Sequence, residues 1–117
     1  MTVLPTRFNF RVWKISEKKM IDCVTYLNPT LEWGKDYILM QAIGLKDKDE
    51  QEIYEGDILI TNKEGRYGFV KYYKNYALYL VQYEHSAQFF NLLPERQYFK
   101  VIGNIYENPE LLEKRSN

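Results

Sequence analysis

The chain has one cysteine, Cys23, and one histidine, His85, among 117 residues. A lone cysteine excludes an intramolecular disulfide, and one Cys with one His cannot complete the ligand set of a structural zinc site. Cys23 with His85, or Ser86 with its neighbour His85, is the whole inventory for a histidine-activated nucleophile. Adjacent residues on a strand point to opposite faces, which separates Ser86 from His85, and a small core residue is the ordinary role of an isolated cysteine such as Cys23. No run approaches the roughly 20 apolar residues of a membrane helix. No secretory leader is read at the start, so a soluble cytoplasmic protein without a membrane partner is expected. Charge of one sign is missing too. Sixteen basic residues balance sixteen acidic ones, so the chain as a whole lacks the field that draws proteins to nucleic acid regardless of sequence, although a local basic patch remains open. There is no glycine-rich phosphate loop, since Gly65-Arg66-Tyr67-Gly68 is too short. No internal repeat or low-complexity segment is present.

What the chain does have is eleven tyrosines and six phenylalanines, side chains that favour strands and also populate binding surfaces. Their spacing is that of a sheet. Phe8, Phe10 and Val12 alternate with Asn9, Arg11 and Trp13, and Met20 to Tyr26 is rich in β-formers, which predicts an N-terminal hairpin with one buried face. Asn28-Pro29-Thr30 breaks it, and an irregular connection runs through Trp33-Gly34-Lys35-Asp36. Tyr37 to Ile43 reads as a strand covered on both faces, Gly44 as a bend, and Lys46 to Gln51 as an exposed charged turn. Gly56-Asp57 predicts a tight turn with a positive φ, and Ile58 to Thr61 a short strand. Asn62 to Gly65 matches a turn closed by a left-handed glycine. Beyond it Tyr67, Phe69, Lys71 and Tyr73 share one face while Val70 and Tyr72 take the other, Lys74-Asn75 turns the chain, and Ala77, Tyr79, Val81 and Tyr83 alternate again. Within His85 to Arg96 the pattern fits a strand or a capped helical turn, with the strand favoured. Tyr98 to Tyr106 reads as a last strand in which Gly103 permits a bulge or a close contact. Asn108-Pro109-Glu110 then starts a short helix.

Strands spaced about ten residues apart predict a mainly β fold. The expected architecture is a single domain over 1–117, with an N-terminal β subdomain over 1–53 and an SH3-like barrel with its terminal helix over 54–112.

The acidic run Asp47, Asp49, Glu50, Glu52, Glu55 and Asp57 raises the question of a metal. Asp47 to Gln51 begins like a calcium loop, but Glu52 stands where glycine is needed and Ile58 where a bidentate acid is needed. A solvated turn interleaved with Lys46 and Lys48 is the better account. No metal and no cofactor is therefore expected, and the chain is not expected to be an enzyme.

Three segments carry a family likeness: FRVW followed by KKMI near the start, LMQ…GLKDKD…EIYEGDI in the middle, and VIGNIYENPELL at the end. Together they resemble the YopX family of small proteins found in bacteriophages and prophages, over nearly the whole chain. The resemblance implies an all-β protein with an SH3-type barrel in its C-terminal part, encoded among phage accessory genes in a bacterial host, and it brings no catalytic activity. Two positions depart from the family pattern: Lys14 stands where an acid often follows the tryptophan, and Asp49-Glu50 where Asn-Gly often forms the turn tip. Because Asp-Glu does not suit a tight type I′ turn, a longer, more open loop is expected at Lys48 to Gln51.

Two functions remain in competition. Exposed edges of a small barrel suit a protein partner or a second copy of the chain. The hairpin residues Lys63, Arg66, Tyr67, Lys71, Tyr73, Lys74 and Tyr76, with Tyr72 beside them, alternatively offer basic and aromatic groups to nucleic acid.

Overall fold

The computed structural model describes residues 9–24, 35–61, 65–89 and 98–113, without the side chains of Cys23, Val24 and Phe89. The expected N-terminal arm, the break at Asn28-Pro29-Thr30, the stretch through Trp33, the turn residues Asn62 to Glu64 and the segment Phe90 to Gln97 lie outside the described residues.

Among the described residues nine strands and one short helix follow in order: β1 Phe10–Lys14, β2 Lys19–Val24, β3 Tyr37–Lys46, β4 Glu52–Tyr54, β5 Asp57–Ile60, β6 Tyr67–Tyr73, β7 Leu78–Gln82, β8 Ala87–Phe89, β9 Lys100–Asn104 and α1 Glu110–Glu113. They form a four-stranded sheet in the order β2-β1-β3-β4 and a five-stranded sheet in the order β8-β7-β6-β5-β9. Every pairing is antiparallel. The molecule is thus mainly β, with curled sheets, a small barrel-like body and a short C-terminal helix.

Alternation builds the core. On one face of the five-stranded sheet Leu59, Val70, Val81 and Tyr83 meet Ile53 from β4 and Phe99 from the approach to β9, all buried, with Ile43 and Leu45 of β3 packed against them. The β3–β4 hairpin therefore covers the five-stranded sheet and closes the barrel-like body. Its tip is fastened to the approach to β9, where the Lys48 N–H donates to the Phe99 carbonyl at 2.8 Å. Glycine makes two close approaches possible. A Cβ on Gly68 would stand 2.6 Å from Val81 Cγ1, and one on Gly103 would stand 2.5 Å from Asn108 Oδ1.

Some expectations change. β1 was expected to bury one face, yet Arg11, Val12 and Trp13 are all buried, because β1 lies between β2 and β3 and its second face meets the rest of the molecule. The loop after β3 is longer than a two-residue turn, as expected, with residues 47–51 between the paired Lys46 and Glu52, but it is closed by hydrogen bonds and not open. The Asp47 N–H donates to the Gln51 carbonyl at 2.8 Å, and Glu50 takes the left-handed conformation at φ 66°. Asp47 is not solvated: its carboxylate is buried and accepts the N–H groups of Asp49, Gln51 and Val101 at 2.9, 2.9 and 3.0 Å. Those three bonds replace the turn chemistry that Asn-Gly would supply. At the C-terminal end the Asn108 side chain accepts the Asn104 N–H at 3.2 Å, so it bridges back toward β9.

Candidate functional site

The site is built where the two sheets meet, at the corner Glu55-Gly56-Asp57. Gly56 sits at φ 88°, a conformation glycine adopts without steric cost, and a Cβ there would lie 3.3 Å from Met40 Sδ. Two consecutive residues of the corner reach opposite ways. The Glu55 N–H donates to the Gln41 carbonyl of β3 at 3.0 Å, and the Gly56 N–H donates to the Val70 carbonyl of β6 at 2.8 Å. The Gly56 carbonyl in turn accepts the Ile105 N–H at 2.9 Å.

Arg11 holds this corner from β1. Its Nη2 lies 2.7 Å from Asp57 Oδ1 and donates to the Glu55 carbonyl at 3.1 Å, while the guanidinium sits 4.8 Å from the centre of the Tyr54 ring. Asp57 is 1% exposed, and its other oxygen accepts the Tyr54 N–H at 2.7 Å. Burial pushes the Asp57 carboxyl up to about 6 even though Arg11 and the Tyr54 N–H pull it down. The pair is imperfectly satisfied: Arg11 Nε has no hydrogen-bond partner among the described residues, and the short Nη2–Oδ1 contact is ionic without the angle of a hydrogen bond. Trp13 of β1 stacks on Tyr106 with ring centres 5.8 Å apart, a second tie across the same junction.

Beside the corner the two sheets part. In the β1–β3 ladder the Ala42 N–H donates to the Asn9 carbonyl and the Ile15 N–H to the Asp36 carbonyl. By the alternation of an antiparallel ladder, Met40 and Ile38 then face β1, while Leu39 turns its N–H and C=O to the opposite edge. In the same way Arg66 and Val70 of the β6 side bond toward β5 and the corner, so Tyr72 turns its backbone groups to that side too. Among the described residues no strand pairs with Leu39 or Tyr72 on those edges, because β4 meets β3 only from Ala42 on and β5 meets β6 only through Phe69. A cleft of about 380 Å³ lies there, lined by Phe10, Leu39, Gln41, Glu55, Tyr72 and Tyr79. A second cleft of about 380 Å³, with Ile38, Phe69, Lys71 and Tyr106 in its walls, shares Leu39 and Glu55 with the first.

Leu39 and Tyr72 are 36% and 42% exposed, large apolar groups at the mouth. Tyr72 packs edge-on against Tyr79 at 5.1 Å, and the Tyr79 hydroxyl reaches Gln41 Oε1 at 3.5 Å. Burial raises the Glu55 carboxyl, with Arg11 opposing. Burial, and then the Glu55 charge, raise the Tyr79 and Tyr106 hydroxyls. The arrangement offers open backbone edges, aromatic walls and one acid. Among the described residues no group of three or more His, Cys, Asp or Glu is placed to hold a metal ion. His85 stands exposed with Glu84 Oε1 at 3.8 Å.

The hairpin residues singled out from the sequence are spread along β6 and β7. Lys71 and Tyr73 are together, the ammonium 5.2 Å from the ring centre, on the face opposite Tyr72. Lys74 and Tyr76 occupy the exposed turn beyond them, with the Tyr76 N–H donating to the Tyr73 carbonyl at 3.0 Å. Tyr67 begins the strand at its far end, next to Arg66, whose guanidinium lies 3.7 Å from the Tyr83 ring centre and donates to Ser86 Oγ at 3.1 Å. Lys63 lies outside the described residues. Sequence reasoning did not find Arg11 or the cleft. The available signal was a cation set between Phe10 and Val12-Trp13 in a strand that otherwise alternates.

Comparison with known proteins agrees with this architecture. No curated protein matches the chain. Among solved structures, protein EF1440 from Enterococcus faecalis is 30% identical, with a TM-score of 0.66 over 89% of this chain and 96% of its own. Protein yopX from Bacillus subtilis shares the fold at 20% identity, with a TM-score of 0.57 over 94% of this chain and 99% of its own. The family model described as YopX protein matches residues 25–113. With most of its length matched in this way, the chain belongs to the YopX family.

Proposed function

We propose that this chain is a phage or prophage accessory protein that acts in the bacterial cytoplasm by binding an extended segment of another protein, without catalysis. One observation carries the reading: among the described residues, Leu39 and Tyr72 turn unpaired backbone groups toward a cleft already walled by aromatic side chains. An extended segment laid beside either edge continues the ladder where Glu55 and Gly56 leave it, with backbone hydrogen bonds supplying affinity and the cleft supplying a side-chain pocket. Family membership supports the phage assignment.

The test is an amide-resolved NMR titration with short, capped peptides of alternating valine and threonine. Docking shifts the Leu39 and Tyr72 resonances together, and unchanged resonances at both positions sink the reading. Sedimentation shows whether a second copy of the chain takes the same place.

One observation favours nucleic-acid binding instead: Tyr76 is 61% exposed in the turn that also exposes Lys74. That reading requires salt-dependent binding of single-stranded oligonucleotides that weakens in a Lys71→Ala/Lys74→Ala variant.

A further inference from the structure

The cleft also carries a preference for one kind of side chain. Its single acid, Glu55, is half-buried, and among the described residues no side chain donates a hydrogen bond to its carboxylate. The nearby cations are committed elsewhere. Arg11 is engaged with Asp57 and with the Glu55 backbone carbonyl, and the Lys71 ammonium lies at the Tyr73 ring. Around Glu55 stand Phe10, Tyr72 and Tyr79, whose ring faces attract cations and whose bodies cover an alkyl stem. A partly desolvated carboxylate without a partner is costly, and an incoming cation relieves that cost.

We propose that this cleft seats a lysine or arginine side chain of the docked segment, its cationic head at the Glu55 carboxylate and its stem along Phe10, Tyr72 and Tyr79. The inference rests on the docking reading above and adds the chemistry of the partner. An acidic or plain aliphatic residue at the same place leaves the carboxylate opposed or unpaired, so the segment is read by charge as well as by backbone.

The experiment compares valine-threonine peptides that differ only at the central residue: lysine, arginine, norleucine or glutamate. The lysine and arginine peptides bind about ten-fold more tightly than the norleucine peptide, and the glutamate peptide binds most weakly. Glu55→Gln, which keeps the shape of the side chain, abolishes that preference. Tyr72→Leu, at an exposed position, lowers lysine-peptide affinity several-fold more than norleucine-peptide affinity. Equal affinity for lysine and norleucine peptides, or a preference that survives Glu55→Gln, overturns the inference and leaves strand docking intact. No binding by any peptide overturns both.

Discussion

The two halves of this fold are held by different forces. The barrel-like body closes on hydrocarbon, with Ile53, Leu59, Val70, Val81, Tyr83 and Phe99 in one buried cluster. The junction with β1 adds charge and backbone contacts, through Arg11, Asp57 and the two amides of the Glu55-Gly56 corner, to the stack of Trp13 on Tyr106. Hydrocarbon packing is non-directional and tolerates rearrangement, whereas a buried ion pair works only if both partners stay. The junction is consequently the part that sets a fixed geometry between the sheets, and the open cleft borders it.

The contrast can be broken at its strongest point first. Arg11→Met leaves the Asp57 carboxylate buried without its counter-charge and lowers unfolding free energy by about 3–5 kcal/mol, measured by urea denaturation. Adding Asp57→Asn restores about half of that loss, because the orphaned charge goes with it. In the barrel Leu59→Ala costs about 2–5 kcal/mol through lost burial and a cavity, and Asp57→Asn does nothing to rescue it. Rescue of both variants, or of neither, would erase the distinction between the two regions.

Protonation sharpens the same comparison. The Asp57 carboxyl stands at about 6 in the fold against 3.8 ordinarily, so the folded chain binds the extra proton between those values. The stability that this group contributes is fully present below pH 3.8 and lost as pH rises through about 6. Its share of the change from pH 7 to pH 4 is about 2 kcal/mol in favour of the fold at the acidic end. Glu55 acts in the same sense. Denaturation of Asp57→Asn across that window lacks this share, and a slope equal to that of the parent chain contradicts it. The smallest effect is at Gly56, where alanine must adopt a left-handed φ and meet Met40 Sδ at 3.3 Å. Gly56→Ala lowers stability by about 1–2 kcal/mol in the same assay.

What could be read from the sequence follows this division. The β6–β7 hairpin was legible because Tyr67 to Tyr83 alternates over many residues between clear turns, and a local period of two is all that such a pairing needs. Gly56 and Gly103 were legible as points of unusual backbone or close approach, and the structure gives the first a positive φ and the second Asn108. The burial of Asp47 was not, because the bond that needs it runs to Val101, 54 residues away. Arg11 was hidden for the same reason, since its partners Glu55 and Asp57 lie on the far side of the sheet order. The cleft depends on where β4 and β5 stop pairing with β3 and β6, and strand ends are not marked by periodicity.

Hydrogen exchange at the Leu39 and Tyr72 amides of the free protein addresses the open edges most directly. Both should exchange far faster than the Met40 and Val81 amides, which lie within paired strands, and both should slow when a lysine-bearing strand peptide is added. Protection of Leu39 and Tyr72 already present without any peptide would mean that the edges are closed and that no segment docks there.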